Sequence, residues 1–317
     1  MTVPDEEEAD LQSPAQLIDH ALGLGFHSLG IAQAGLSPHA QHFLEWVKQR
    51  RYASMNWITK DVDRRIDPRK SLEGARSILA VNLPYSSEPA VGPDGGKIAR
   101  YATGRDYHKV MQPLLEQLCQ HISEQQKWRT WWTVDTSPLL ERDWAELSGL
   151  GWIGKNGVVI NQQIGSYFFL GTIVTDRPYQ PTPSAMNHCG NCTACIDACP
   201  TGALVAPYTV DANQCISYWT IEHRGTLPEE ARLHDWLFGC DICQEVCPWN
   251  SRAGRIRPEL HPQLQPRDLP ADPEQVANMS HQEWLDHYAG TAVTRAGHEG
   301  LKRNARKILE ERAEIPR

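Results

Sequence analysis

Nine cysteines fall in this 317-residue chain, and eight of them lie between positions 189 and 247. The first run, Cys189-Gly-Asn-Cys192-Thr-Ala-Cys195-Ile-Asp-Ala-Cys199-Pro200, has the spacing C-x2-C-x2-C-x3-C-P. Paired [4Fe–4S] clusters are bound with this spacing, the fourth thiolate serving the other cluster of the pair. Cys240-Asp-Ile-Cys243-Gln-Glu-Val-Cys247-Pro248 repeats the run one ligand short, and Cys215 between them can supply the missing thiolate. The expected sets are Cys189, Cys192, Cys195 and Cys247 for one cluster, and Cys199, Cys215, Cys240 and Cys243 for the other. A gap of two residues lets one short turn aim successive thiolates at neighbouring irons, and the longer gap carries the last thiolate to the second cube. Zinc knuckles, the bland alternative, use cysteine pairs rather than a continuous run of four. Cys119 lies in a helical pattern and reads as an ordinary buried thiol. Two cubes that share their ligand runs form an electron wire, and a wire needs a redox site at its end.

The elements that must position such a site precede the cysteines. Leu17, Ile18, Ala21, Leu22 and Leu24 recur at helical spacing and stop at Gly25. Ser28–Ala32 and Ile78–Val81 read as short strands, and Ser37-Pro38 opens a helix with Phe43, Leu44 and Val47 on one face. Tyr107 to Gln125 reads as helical, with Pro113 a kink or a sign of a later start. Trp131–Val134 is a strand, Leu139–Leu150 a helix ending at Gly151, and strands follow at Val158–Ile160 and Tyr167–Val174. Helices alternating with strands predict a mixed α/β (α+β) domain over 14–176. Three prolines in Arg177–Ser184 predict a linker, 185–250 a ferredoxin-like module, and 251–317 a C-terminal segment that is helical from Ser280. Asp135 falls at the C-terminal end of a predicted strand, where α/β proteins place their sites. The bland reading of it is a helix cap, a role that Thr136 and Ser137 also offer.

Composition narrows the classes. Hydrophobic residues make up 40% of the chain, enough for a packed core, and no apolar run approaches a membrane span. The acidic start lacks the basic and apolar regions of a secretory signal. The net charge of -8 at first argues against a nucleic-acid partner, but residues 1–19 carry -6 of it, five of the six charges in an acidic tail ahead of position 14. Residues 97–109 and 295–317 each carry +3. Charge runs are usually solvated helix faces. Eleven tryptophans also offer stacking surfaces, of which Trp219, with His223, lies between cluster ligands.

The run from Val134-Asp135-Thr-Ser-Pro-Leu-Leu-Glu141 to Gly151-Trp-Ile-Gly-Lys155-Asn156 resembles the signature of the epoxyqueuosine reductases. Arg100-Tyr-Ala-Thr-Gly-Arg-Asp-Tyr107-His108, Cys199-Pro-Thr-Gly-Ala203, Phe238-Gly-Cys240-Asp-Ile-Cys243-Gln and Leu301-Lys-Arg-Asn304-Ala resemble the same family, so the likeness spans nearly the whole chain. The resemblance implies a cytoplasmic, cobalamin-dependent iron–sulfur enzyme that reduces epoxyqueuosine to queuosine in the tRNA anticodon, with Asp135 as general acid. To donate near neutral pH, Asp135 needs a raised pKa. The chain holds no Asp-x-His-x-x-Gly run; Asp106-Tyr-His108 comes nearest and lacks the glycine, so a base-off corrin with no protein histidine ligand is expected. Arg65 matches a family position that approaches cobalamin. The Gly151–Gly157 loop can bring backbone close to a planar ligand or serve only as a helix C-cap and turn. Lys155, Asn156, Val159 and Leu170 are candidates for lining the corrin. The implied partners are the anticodon stem-loop of tRNA and an external donor such as flavodoxin or ferredoxin, with no membrane and a monomeric state. A reductive dehalogenase is the competing enzyme, although Arg50-Arg51 lies too far in for a twin-arginine signal. A plain ferredoxin-type carrier is the competing non-enzyme, and it predicts no cobalt and no role for Asp135.

Overall fold

The computed structural model describes residues 11–86, 88, 90–124, 127–252 and 254–314; the acidic head at 1–10, Gln125 and Arg317 lie outside the described residues. The main sheet has the order Ser28–Gln33, Ser77–Pro84, Phe168–Thr175, Thr130–Thr133, and every neighbouring pair is antiparallel. The mixed fold is thus of the α+β kind. Ser77–Pro84 is buried at every position and Phe168–Thr175 at all but Leu170. Strands covered on both faces read as continuous apolar runs, which is why these two were visible without alternation.

Successive residues of Ser77–Pro84 serve opposite cores. Leu79, Val81 and Leu83 join Leu17, Met111, Leu115 and Leu118 from the helices Ala15–Gly23 and Tyr107–Ser123. Ile78 and Ala80 face the other way, toward Trp144 and Ala145 of the helix Glu141–Leu147. The helix Tyr107–Ser123 runs through Pro113 and starts where Asp106 caps it, the Asp106 side chain accepting from the His108 N–H at 3.1 Å. That cap fixes Tyr107 and His108 in the first turn, beside the end of the strand that leads to Asp135.

A second core gathers the C-terminal helices. Ile98 and Ala102 pack with Leu237, Phe238, Trp284, Tyr288, Leu301 and Ile308. The strand Lys97–Ile98 pairs in parallel with Trp236–Phe238, so a hairpin of the first domain is built into the cysteine module. Helices Pro273–Asn278, His281–Tyr288 and Gly297–Glu314 form the closing segment, and Ser280 with Glu283 makes a capping box. Buried Asn304 donates to the Thr220 and Leu237 carbonyls, both at 2.9 Å, which ties the last helix to the turn carrying Trp219 and His223. The segment Arg177–Ser184 is strapped onto the sheet rather than loose. Tyr179 is buried, Gln12 and Pro178 share a backbone bond, and the Thr182 N–H donates to the Ile31 carbonyl at 2.9 Å.

Candidate functional site

The eight cysteines of the module fall into two neighbourhoods. Burial pushes the Cys195 and Cys247 thiols up, and both also feel Cys189, with Cys192 adding at Cys247 and Cys247 adding at Cys195. Burial likewise pushes Cys243 up to about 12, with further contributions from Cys215, Cys195 and Cys199. Cys240 is raised by burial, then by Cys243 and Cys215. The two groups of neighbours are contiguous, Cys195 and Cys243 meeting between them. Among the described residues no three His, Cys, Asp or Glu side chains converge on a position for a single ion. Thiols held protonated by burial must release their protons when iron binds, which couples cluster insertion to pH.

The loop Gly151–Gly157 touches both neighbourhoods. Lys155 Nζ donates to the carbonyls of Gly190 at 2.7 Å and Cys192 at 2.9 Å, and buried Asn156 donates to the Cys243 carbonyl at 3.1 Å. Val159 is buried against Ala80, Ala145 and Leu150. These three corrin candidates therefore support the cysteine loops and the core. Arg65, Asp135 and Leu170 instead line one cavity of 790 Å³, the size of a cofactor site.

One wall of this cavity comes from His39, Phe43, Trp57 and Arg65, the floor from Leu139, Leu140 and Leu170, and the far wall from Ala185, Asn187, Tyr208 and Val210 beside the first cysteine run. The Arg65 guanidinium lies 5.6 Å from the Trp57 ring centroid and donates to the Ile58 carbonyl at 3.1 Å. Burial lowers its pKa against the opposing charges of Asp61, Asp135 and Glu141. Buried Asp143, also in the lining, accepts from the Ser37 hydroxyl and lies 3.2 Å from His39 Nδ1.

Asp135 follows the strand Thr130–Thr133 and stands in left-handed backbone with φ of +62°. The Tyr107 hydroxyl donates to Asp135 Oδ2 at 3.0 Å, and His108 Nε2 lies 3.8 Å from the same oxygen. The Asp135 N–H points the other way, to Glu141 Oε1 at 3.0 Å and Oε2 at 3.1 Å. The Asp135 side chain is 66% accessible, and the residue lines the cavity. Its pKa runs against expectation. The imidazole of His108 holds the carboxyl below the ordinary range, burial opposes this, and the Tyr107 hydroxyl adds to the lowering. The protons sit on its neighbours. Burial lowers His108, but its partners Asp106 and Asp135 outweigh that and lift it to about 9. Glu141 is pushed up to about 8, first by burial and then by the charge of Asp135. One carboxylate thus stands between two groups whose proton affinity the surroundings raise.

Sequence reading missed His39, Tyr107, His108 and Glu141 as site residues. The last three stood inside recognised motifs, yet only the fold brings them around Asp135. The basic segments also serve differently from a simple patch. Arg100 is buried on Asp241, Lys97 lies over the Trp236 ring, Arg303 donates to the carbonyls of Trp219, His223 and Gly225, and Arg312 pairs with Asp235. Arg105 and Lys109 are exposed beside Tyr107. Arg295 pairs with Glu222 at 2.9 Å and is close enough to feel the charge of Asp135. Trp219 packs against the second core, its ring 4.9 Å from that of His223.

Eight clustered thiols beside a cavity lined by Asp135 define a redox enzyme of the paired-cluster class. A family model described as a 4Fe-4S double cluster binding domain matches residues 188–250, and one described as epoxyqueuosine reductase QueG, DUF1730, matches 65–136. The chain belongs to the epoxyqueuosine reductases. It is 38% identical over 298 residues to that of Cellulophaga algicola, covering 90% of this chain and 94% of the relative. To that of Escherichia coli it is 37% identical over 310 residues, covering 94% and 81%. The crystal structure of an epoxyqueuosine reductase with an epoxyqueuosine-modified stem loop of tyrosine tRNA superposes with a TM-score of 0.82 at 31% identity, covering 93% of this chain and 80% of that one. A Bacillus subtilis epoxyqueuosine reductase with its catalytic aspartate loop swung out of the active site superposes at 0.81 with 29% identity, over 93% and 80% of the two chains.

Proposed function

We propose that this protein reduces epoxyqueuosine to queuosine at the wobble position of a tRNA anticodon. The reading is carried by Asp135, which faces a cavity bounded by the sheet domain and by residues next to the first cysteine run, in a chain of this family. Turning an epoxide into an alkene consumes two electrons and two protons and releases water. The two sets of four cysteines would hold [4Fe–4S] clusters, whose thiolate chemistry they match. The leucines of the cavity floor, with Ile153 and Val210, suit the apolar edge of a corrin, and Arg65 would hold its polar rim. Cobalamin, when bound, supplies two-electron chemistry at the epoxide from electrons that arrive singly. We assign it no histidine ligand from the chain, which holds no Asp-x-His-x-x-Gly run.

The chain's own residues supply one of the two protons. Asp135 Oδ2 meets the departing oxygen and relays to it a proton drawn from the His108 imidazolium, 3.8 Å away, while the second proton of the released water enters from solvent. Tyr107 orients the carboxylate through its hydroxyl. Arg105 and Lys109, exposed next to Tyr107, and Arg295, which feels the charge of Asp135, would meet phosphates of the anticodon loop. Trp219 and His223 lie farther along the second core and would support that surface. Cys192 of the first set is exposed, whereas Cys199, Cys215, Cys240 and Cys243 of the second are all partly buried, so the first set offers the shorter route from a docked flavodoxin or ferredoxin. We take the working form to be a cytoplasmic monomer. Among the described residues no helix is long and apolar enough to cross a membrane.

The test is anaerobic reconstitution, counting of iron and cobalt, and mass spectrometry of nucleosides from treated tRNA. Queuosine forming at the expense of epoxyqueuosine is expected; protein with full clusters that binds no cobalamin sinks the proposal. Asp135→Asn should keep clusters and cobalamin yet fail to deoxygenate, and full turnover by that variant removes Asp135 from the mechanism.

A further inference from the structure

We propose that Glu141 is a positioning residue: its carboxyl group latches the Asp135 N–H and holds Asp135 in a strained turn facing the cavity. The inference rests on the role assigned above to Asp135. Three observations carry it. The Thr136 N–H donates to the Val134 carbonyl at 2.6 Å, closing a three-residue turn, and Asp135 at its centre has φ of +62°. A γ-turn of positive φ is rare and strained, and for a residue with a Cβ it persists only when the surroundings enforce it. Here the enforcing groups are countable. Both Glu141 oxygens lie within 3.1 Å of the Asp135 nitrogen, and Tyr107 grips the side chain from the opposite side.

The support is rigid on one side and free on the other. Glu141 is the first residue of the helix Glu141–Leu147, which is anchored by buried Asp143, Trp144 and Ala145. The turn hangs between buried Val134 and buried Leu139, with Asp135 and Thr136 exposed between these anchors. Without the latch, the relaxed backbone for Asp135 is negative φ. Rotation at that residue carries the carboxylate away from Tyr107 and His108. Glutamine at 141 keeps an oxygen to accept the N–H and mimics a carboxyl that burial keeps largely protonated. Alanine removes the acceptor altogether.

Hydrogen exchange of peptides covering 134–139 tests the latch without requiring turnover. In the reconstituted holoenzyme, Glu141→Ala should exchange the Asp135 and Thr136 amides about tenfold faster than the parent, the shift expected for loss of one typical hydrogen bond. Glu141→Gln should stay close to the parent rate. Under turnover, Glu141→Ala should lose about a hundredfold in kcat, as for a reacting group displaced by ~1 Å, with KM for tRNA and iron content kept. Glu141→Gln should restore most of the rate. Unchanged exchange in Glu141→Ala, or equal losses in the alanine and glutamine variants, overturns the latch. A parent enzyme that leaves epoxyqueuosine intact overturns the proposed function instead, while the exchange result still decides the latch.

Discussion

The proton on His108 leaves a measurable signature in stability. Moving an imidazole from 6.5 to about 9 corresponds to roughly 3 kcal/mol at ~1.36 kcal/mol per tenfold change in proton affinity. The His108 side chain is 35% exposed, so solvent screening reduces this to ~1–2 kcal/mol. His108→Gln removes the charge while keeping a polar side chain at the helix start. Because the folded pKa is raised, the contribution is fully present below 6.5 and disappears as pH rises through about 9. Anaerobic melts of parent and variant, run in parallel across that window, should differ by a few degrees at the acid end and converge at the alkaline end. The rate of the parent should fall over the same alkaline limb, since Asp135 then loses its proton supply. A stability gap that is constant with pH, or one that widens above 9, refutes the charge pairing of His108 with Asp106 and Asp135.

The cluster sets give a counting prediction. Cys247→Ser and Cys189→Ser act on one set despite their separation in sequence, so each alone and the two together should remove the same half of the bound iron, read by colorimetric assay. Arg100 gives a packing prediction. Its N–H and Nη1 reach Asp241 Oδ2 at 2.8 and 2.9 Å, with Asp241 buried. Arg100→Ala leaves that carboxylate without its cation and should cost ~3–5 kcal/mol in urea unfolding, a loss that replacing both residues by apolar ones should largely relieve.

The double-cluster module was legible because cluster ligation is written locally, as gaps of two and three residues between thiols. The central strands were legible because burial on both faces leaves a continuous apolar run. Strand direction was not: a helix between two strands suits a parallel crossover, yet Ser28–Gln33 and Ser77–Pro84 are antiparallel neighbours. Charge counting misled for a related reason. Arg100 and Arg303 contribute to a formal +3 in their segments but spend their donors on buried carboxylates and carbonyls. Asp135 was reached through its motif, but the sign of its pKa shift was not, because His108 and Tyr107 come from a helix some thirty residues earlier. Lys155 and Asn156 stood in the right loop and turned out to grip the cysteine runs from behind.

The parallel pairing of Lys97–Ile98 with Trp236–Phe238 bears on how this enzyme can be dissected and made. A cut in the segment 177–184 would not release a free-standing ferredoxin. It would strip the module of its neighbouring strand and leave two bare sheet edges, one on each fragment, open to pairing between molecules. During synthesis, the hairpin at 90–98 likewise waits for more than a hundred further residues before its partner emerges. Closure of the two halves therefore waits for Trp236–Phe238, a strand of the cysteine module, to pair with Lys97–Ile98.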